Sequence, residues 1–141
     1  MYQHILVAID LNEETAWRKP LLTAVELART FRAQLHVVTV VREVEAILET
    51  KASPIGYDVI VAYLETRLAA LLRSVGADDL QPKTLVVRAA SIYAAILAAA
   101  ETEEADLIVV GSHRPAMKDY LLGTNASRVM RHARCSVLVA R

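Results

Sequence analysis

The sequence predicts an α/β protein whose open sheet has five parallel strands and helices on both faces. Apolar runs alternate along the chain with segments in which apolar residues recur at helical spacing. The runs at residues 5–9 and 107–110 are apolar throughout, which is typical of central parallel strands covered on both faces. Such alternation favours parallel pairing with right-handed crossovers. The chain, residues 1–141, is predicted to form a single domain.

The first half of the chain contains two predicted strands and two predicted helices. The strands cover residues 5–9 and 35–41. The first helix is indicated by Leu21, Ala24, Val25, Ala28 and Phe31. We expect Pro20 in its first turn, where the missing amide costs little. The second helix covers residues 57–75 and ends at Gly76, with a predicted buried stripe of Ile60, Leu64, Leu68, Leu71, Leu72 and Val75.

Residues 42–56, which join the second strand to the second helix, have no clear periodicity. Charged and apolar residues alternate there until Ser53-Pro54 breaks the pattern. We interpret this segment as a mobile connection that contains a short helical turn.

The second half of the chain continues the alternation. Strands are predicted over residues 84–87, 107–110 and 136–140. Ser91 is placed to cap the intervening helix. The inward side of that helix is formed by Ile92, Ala95, Ile96 and Ala99. The inward side of the last helix is formed by Ala126, Val129, Met130 and Ala133.

The composition excludes several classes of protein. Sixteen basic and sixteen acidic residues argue against a dedicated nucleic-acid-binding protein, and 55% hydrophobic residues argue against disorder. The single cysteine, Cys135, forms no internal disulfide and fits a reducing compartment. We see no signal peptide and no apolar run near the ~20 residues of a membrane helix, so we expect a cytoplasmic protein without membrane insertion.

Residues 106–133 contain the pattern with the clearest chemical meaning. An apolar run reaches Gly111, a polar connection follows, and a helical pattern begins after Gly123-Thr124-Asn125. Glycine permits close approach of the backbone, and the free amides of a helix N-terminus favour an anion. The order predicts a phosphate site. The alternative is that Gly111 only turns the chain and Asn125 only caps the helix.

The same residues resemble the universal stress protein (UspA-like) family. DLIVVGSH followed by LLGTNASRVMRHARCSVLVAR is similar to the C-terminal half of that family, and GSHRP...LLGTNAS resembles its small single-domain bacterial members. Many members bind ATP through the pattern G-x2-G-x9-G-[S/T]. Here Gly111 matches the first glycine, Arg114 replaces the second, and the loop before Gly123 is shorter by one residue.

The resemblance implies a Rossmann-like fold that binds an adenine nucleotide, with strand order 3-2-1-4-5. That order places the ends of strands 1 and 4, at Asp10 and Gly111, beside each other at the topological switch point. The resemblance and the loop pattern together predict a binding site made of Ala8, Ile9, Asp10, Val40, Gly111, Ser112, His113, Arg114, Gly123, Thr124, Asn125 and Ala126.

Each of these side chains also has a structural interpretation. Asp10 lies beside the ribose and phosphates in the family, but an aspartate at a strand end also caps turns. Val40 matches a position that touches adenine, with Ala8 and Ile9 as backbone neighbours, yet all three residues suit a core. Arg114 either grips the terminal phosphates or is a solvated surface residue. His113 is interpreted as structural.

Patterns that would indicate catalysis are missing from the sequence. No G-x4-G-K-[S/T] motif supplies a phosphate-binding lysine, and the four histidines, at positions 4, 36, 113 and 132, are scattered without metal-ligand spacing. Cys135 is interpreted as an inert core thiol. We therefore expect a binding protein, although the resemblance allows slow ATP hydrolysis or self-phosphorylation.

The expected function is nucleotide-dependent regulation in a stress response. The resemblance implies ATP as ligand, alone or with Mg²⁺, with ADP or AMP as alternatives. Bound nucleotide would favour one conformation of residues 112–122, which an unidentified protein partner would recognise. The resemblance also implies a homodimer through the strand at residues 136–140. Two alternatives stay open: a nucleotide-independent dimeric interaction protein, and an enzyme acting on an adenine nucleotide.

Overall fold

The computed structural model describes residues 1–42, 56–112 and 124–141. In chain order its elements are β1 (His4–Ala8), α1 (Glu14–Phe31), β2 (Gln34–Arg42), α2 (Tyr57–Ser74), a 3₁₀ turn (Asp78–Leu80), β3 (Lys83–Ala89), α3 (Ile92–Thr102), β4 (Leu107–Gly111), α4 (Thr124–His132) and β5 (Ser136–Ala140). The connection predicted over residues 42–56 and the loop at 112–122 lie, apart from their ends, outside the described residues.

The five strands form one parallel sheet with the order β3-β2-β1-β4-β5. The fold class and strand order expected above are confirmed. β1 is paired on one side with β2 and on the other with β4, so the strand order reverses between β1 and β4. In the described residues, β5 is an edge strand that pairs only with β4.

Two hydrophobic layers cover the sheet because successive strand residues point to opposite faces. Val7 packs in the layer that contains residues of α1 and α2, including Leu21 and Leu68. Its neighbour Leu6 packs in the layer that contains residues of α3 and α4, including Ile96 and Val129. Helices on both faces explain why residues 5–8 of β1 and 107–110 of β4 are all apolar.

Pro20 lies inside α1, and its predicted place in the first turn is wrong. The helix begins at Glu14, six residues before Pro20, and its first turn includes Trp17, which is buried in the core. A proline has no amide with which to complete the helical hydrogen bond to Ala16 O. The Pro20 ring and this carbonyl both contact the end of β4, where they meet Gly111.

Two predicted helix stripes are only partly buried. Met130 is 51% exposed, which contradicts its predicted inward position. Ala126 and Val129 are buried, and Ala133, just after the end of α4, is partly buried against the same layer. In α2, Leu68 and Leu72 are buried, whereas no residue in its first ten is buried. The N-terminal half of α2 therefore contributes little to the core.

The end of α2 and the start of α3 lie within a residue of their predicted positions. Gly76 follows α2 with φ +69°, a left-handed conformation that favours glycine, and its amide donates to Arg73 O at 3.0 Å. Ser91 occupies the position before α3, but its side chain makes no capping hydrogen bond.

A polar cluster lies at the amino end of the sheet and brings together two histidines that are far apart in the sequence. His36 is buried, and its Nε2 lies 3.3 Å from His4 Nδ1. Its Nδ1 is 3.3 Å from Glu103 Oε2, without the geometry of a hydrogen bond. Lys83 Nζ donates to the same oxygen at 2.7 Å. Packing of β1, β2 and β3 against the end of α3 thus brings these ionisable side chains together at the end of the sheet opposite the predicted site.

Burial holds the pKa of His36 below its usual value, against the opposing effect of Glu103; His4 and Lys83 also lower it. The hydrogen bond from Lys83 is the main cause of a lowered pKa at Glu103. Protonation of His36 therefore favours the unfolded chain. Its contribution to stability is present above the unfolded pKa of about 6.5 and is lost as pH falls below it.

We expect the free energy of unfolding to fall between pH 7 and pH 5 more steeply in the wild type than in His36→Leu. One proton changes the slope by up to ~1.4 kcal/mol per pH unit. Glu103 adds little in this range because its folded pKa lies below its usual value. Urea unfolding at several pH values measures the slopes, with His132→Asn as a control at an exposed histidine. Equal slopes for wild type and His36→Leu would contradict the assignment.

Candidate functional site

A cavity of about 640 Å³ opens where the carboxyl ends of β1, β2 and β4 meet the N-terminal parts of the helices. Its volume lies within the ~300–1,000 Å³ of ligand pockets. It occupies the topological switch point, where open parallel sheets bind ligands. Both polar and apolar residues line it, so it suits a ligand with an apolar part and a polar or charged part.

Seven of the predicted site residues line this cavity together: Ala8, Ile9, Asp10, Val40, Gly111, Asn125 and Ala126. Two others do not line it. Ser112 donates its amide to Ala140 O at 3.3 Å, which extends the pairing of β4 with β5. Thr124 is the exposed first residue of α4. His113, Arg114 and Gly123 lie outside the described residues.

Asp10 both caps a turn and lines the cavity, so its two interpretations are compatible. Its Oδ1 accepts a hydrogen bond from the Asn12 amide at 3.0 Å, and its carbonyl accepts from the Glu13 amide at 3.3 Å. These bonds direct the chain from β1 into α1. Within the described residues the second carboxylate oxygen has no protein partner, and the side chain is exposed at the cavity wall.

Gly111 is required by the packing of α1 against the end of β4. A Cβ at this position would lie 2.9 Å from Ala16 O and 2.9 Å from Pro20 Cγ. Its backbone needs no left-handed conformation, since Gly76 is the only described glycine with positive φ. Gly111 therefore does more than turn the chain. Because it has no side chain, α1 can pack closely against the end of β4 beside the cavity.

The N-terminal half of α2 forms a wall of the cavity that the sequence analysis missed. Val59, Ile60, Tyr63, Leu64 and Arg67 all line it. Arg67 Nη2 donates to Leu11 O at 2.9 Å, which ties α2 to the turn after β1. The predicted helical stripe placed Ile60 and Leu64 in the core, and it held no signal that this half of the helix faces a cavity.

Charge in the cavity is mixed. Asp10 and Glu13 supply carboxylates from the turn after β1, while Arg42 and Arg67 supply guanidinium groups from β2 and α2. The N-terminus of α4 adds the positive end of a helix dipole at Asn125 and Ala126. An anionic group would bind best at the α4 end, away from the two carboxylates.

Other kinds of site have little support in the described part of the chain. Residues 1–42, 56–112 and 124–141 contain no group of three His, Cys, Asp or Glu side chains arranged to hold a metal ion. None of the helices in those ranges is both long and apolar enough to cross a membrane. Burial raises the pKa of the Cys135 thiol, which disfavours its reactive thiolate form.

Comparison with known sequences gives one family over the whole chain. The model of the universal stress protein family matches residues 1–141. Universal stress protein G of Salmonella typhimurium is 40% identical over 77 residues, 55% of this chain and 54% of that protein. The chain thus spans about half the length of that relative. Universal stress protein A homolog 1 of Coxiella burnetii is 30% identical over 141 residues, 97% of this chain and 94% of that protein.

Solved structures share the fold at low sequence identity. The universal stress protein UspA from Lactobacillus plantarum superimposes with a TM-score of 0.76 at 23% identity, covering 99% of this chain and 98% of that one. The universal stress protein from Archaeoglobus fulgidus in complex with dAMP has a TM-score of 0.67 at 19% identity, covering 99% and 98%. A universal stress protein in complex with cAMP has a TM-score of 0.63 at 20% identity, covering 99% and 97%.

Proposed function

Because the chain belongs to the universal stress protein family, we propose that its cavity binds an adenine nucleotide and that the bound nucleotide regulates a stress-response partner. The observation that carries the proposal is the convergence of Asp10, Val40, Gly111 and Asn125 on one cavity at the switch point. Relatives solved in complex with dAMP and cAMP support an adenine nucleotide as the class of ligand.

The lining residues suggest how such a ligand would lie. The base would contact Val40 and the backbone of Ala8 and Ile9 on β1 and β2. The Asp10 carboxylate would accept hydrogen bonds from the ribose hydroxyls. The phosphates would lie against Gly111 and the first amides of α4, where the helix dipole favours negative charge.

ATP is the proposed ligand, alone or with Mg²⁺, with ADP and AMP as the alternatives. The family pattern adds five further residues to the proposed ligand contacts: Ser112, His113, Arg114, Gly123 and Thr124. Arg114 would distinguish ATP from AMP by pairing with the terminal phosphates.

We propose a binding role without efficient catalysis. The sequence has no phosphate-binding lysine motif, and His113, the histidine among the proposed contacts, is interpreted as structural and not as a general base. Slow hydrolysis or self-phosphorylation is compatible with a regulatory role. The single cysteine is compatible with a reducing cytoplasm.

We also propose a homodimer through β5. The strand lies at one edge of the sheet, and its central residues Val137, Leu138 and Val139 are half-buried within the chain. An apolar edge invites pairing with another strand, and a symmetric pair would use the same edge of both copies. The competing function is a dimeric interaction protein that does not depend on nucleotide. Nucleotide released by acid from the purified protein would favour the binding proposal.

The nucleotide proposal predicts that ATP stabilises the wild-type protein. At a hundredfold excess over Kd the stabilisation is about 2.7 kcal/mol, because the ligand binds only the folded state. Asp10→Ala should reduce the rise in Tm, and Gly123→Val should abolish it. Asp78→Ala removes an exposed carboxylate outside the cavity and should leave the rise unchanged.

Differential scanning fluorimetry with ATP, ADP, AMP and GTP, with and without Mg²⁺, measures these shifts. Because the variants can change the Tm of the free protein, the rise on adding ligand is compared. No rise in the wild type would favour the nucleotide-independent protein. Equal rises in wild type and Gly123→Val would remove the phosphate assignment.

A further inference from the structure

The N-terminal half of α2 presents large apolar side chains to the cavity. Val59 and Tyr63 are one helical turn apart, and both line the cavity. Their side chains are nevertheless largely accessible, with Val59 56% exposed and Tyr63 61% exposed. The C-terminal half of the same helix is anchored by Leu68 and Leu72, which are buried in the core. Among the described residues of α2, the buried ones lie in its C-terminal half, while its N-terminal half lines the cavity beside the carboxyl ends of the strands.

Tyr63 has a defined position on this wall. The guanidinium carbon of Arg67 lies 5.8 Å from the centre of its ring, within range of a cation–π interaction. Arg67 also donates to Leu11 O at 2.9 Å, one residue beyond Asp10. Through these contacts Arg67 connects the aromatic ring to the turn that carries the proposed ribose-binding carboxylate.

We infer that Tyr63 is a stacking surface for the base of the bound nucleotide and that Arg67 is the positioning residue that holds it there. The inference rests on the proposed function and adds two residues of α2 to the nucleotide site. An exposed aromatic ring in a cavity presents a flat face that a purine can cover, and aromatic faces stack on any base. The same cavity is lined by Val40, so base and ring share one space.

Charge agrees with this placement. The Arg67 guanidinium interacts with the ring and donates to a neutral carbonyl, and the carboxylates of Asp10 and Glu13 line the same cavity. The guanidinium group of Arg42 also lines the cavity, so two cations and two carboxylates offset one another, and this side suits a neutral base better than phosphates. The opposite side holds Gly111 and the N-terminus of α4, where an anion is favoured. A nucleotide would place its base towards α2 and its phosphates towards α4.

The test compares ATP with inorganic tripolyphosphate, which has the phosphates but no base, by isothermal titration calorimetry on the full chain. Tyr63→Ala should weaken ATP binding about 5- to 150-fold and leave tripolyphosphate binding unchanged, since stacking contributes about 1–3 kcal/mol per base. Tyr63→Phe keeps the aromatic face and should bind ATP like the wild type. The exposed ring makes an unfolded variant unexpected, and the Tm of each free protein verifies folding.

Tyr57→Ala is the matched control. Tyr57 lies on the same helix and also packs against a guanidinium, that of Arg88 at 5.0 Å, but it does not line the cavity. Its removal should not change ATP binding.

Arg67 is tested through its dependence on Tyr63. Arg67→Gln removes the cation from the Tyr63 ring and should weaken ATP binding, whereas Arg67→Lys keeps both a cation and a donor for Leu11 O and should bind ATP more like the wild type. In the Tyr63→Ala background Arg67→Gln should have no further effect, because a positioning residue acts through the ring. Independent losses in the double variant would overturn that role.

The outcomes separate the two proposals. If the wild type does not bind ATP, the proposed function fails and the stacking role fails with it. If the wild type binds ATP and Tyr63→Ala binds it equally well, only the stacking role is overturned. A loss of ATP and tripolyphosphate binding in equal measure, or a lowered Tm of free Tyr63→Ala, would show that the ring supports the fold, and this also overturns the stacking role.

Discussion

Gly111→Val is expected to destabilise the fold and to remove the proposed nucleotide binding in a single substitution. The new Cβ would lie 2.9 Å from Ala16 O and from Pro20 Cγ, and the branched side chain adds further atoms in the same direction. Neither neighbour is the end of a flexible side chain, because one is a backbone oxygen and the other belongs to a proline ring within a helix. The clash is relieved only if α1 moves away from β4.

The expected cost is at or above the ~1–3 kcal/mol that overpacking of a dense core usually causes. Movement of α1 would also displace Glu13 and Ala16, which line the cavity. Gly111→Ala should show a smaller form of the same effect. Urea unfolding measures the loss of stability, and the Tm rise with ATP measures the loss of binding.

Gly56 provides the matched control. It precedes α2, and a Cβ there would meet no atom within 4 Å among its described surroundings. Gly56→Ser should be neutral or slightly stabilising, because serine is at least as good as glycine at a helix N-cap. A Gly111→Val protein with the stability of the wild type would show that α1 leaves room for a side chain at the end of β4 and would contradict this prediction.

Val139→Pro is expected to dissociate the proposed dimer and leave the chain folded. The Ala140 carbonyl accepts from the Ser112 amide at 3.3 Å, so the peptide groups of Ala140 face β4. Because successive residues of a strand direct their hydrogen-bonding groups to opposite sides, those of Val139 face the outer edge. Proline would remove an outward amide and put a ring on the pairing edge.

Leu138→Pro is the contrasting variant, because its amide faces β4 and its loss should destabilise the sheet itself. Sedimentation velocity at micromolar concentration measures the oligomeric state, and circular dichroism with urea measures folding. A wild-type protein that sediments as a monomer would contradict the dimer. A Val139→Pro protein that stays dimeric would place the interface elsewhere.

Much of the fold follows from the order of residues along the chain. The continuous apolar runs at β1 and β4 predicted central strands, and the structure buries both faces of each. Gly76 predicted the end of α2 and lies there with φ +69°. The strand order came from resemblance to a family, because local periodicity does not state which strands are neighbours.

The sequence predicted several cavity-lining residues that lie at the ends of strands. Asp10 and Gly111 terminate adjacent parallel strands, so the topology alone brings them to one edge of the sheet. Asn125 and Ala126 join them because a helix that follows β4 begins at the same edge. Ser112 and Thr124 lie next to the strand and helix ends that form the cavity, but they do not line it. The glycine and helix pattern of the sequence does not determine the direction of their side chains, because that direction depends on packing.

Tertiary structure alone decided the contacts between elements that are distant in the sequence. The contact of His4 with the buried His36 exists because β1 and β2 are neighbours in the sheet. Tyr63 and Arg67 form a cavity wall because the residues of α2 that are buried in the core, Leu68 and Leu72, lie in its C-terminal half. Hydrophobic periodicity reports which side of an element is apolar, but it does not report what that side meets. The free energy of packing depends on which residues come into contact across elements. The sequence by itself therefore determined the layers of this protein, and the packing of its helices on the sheet determined the walls of the cavity.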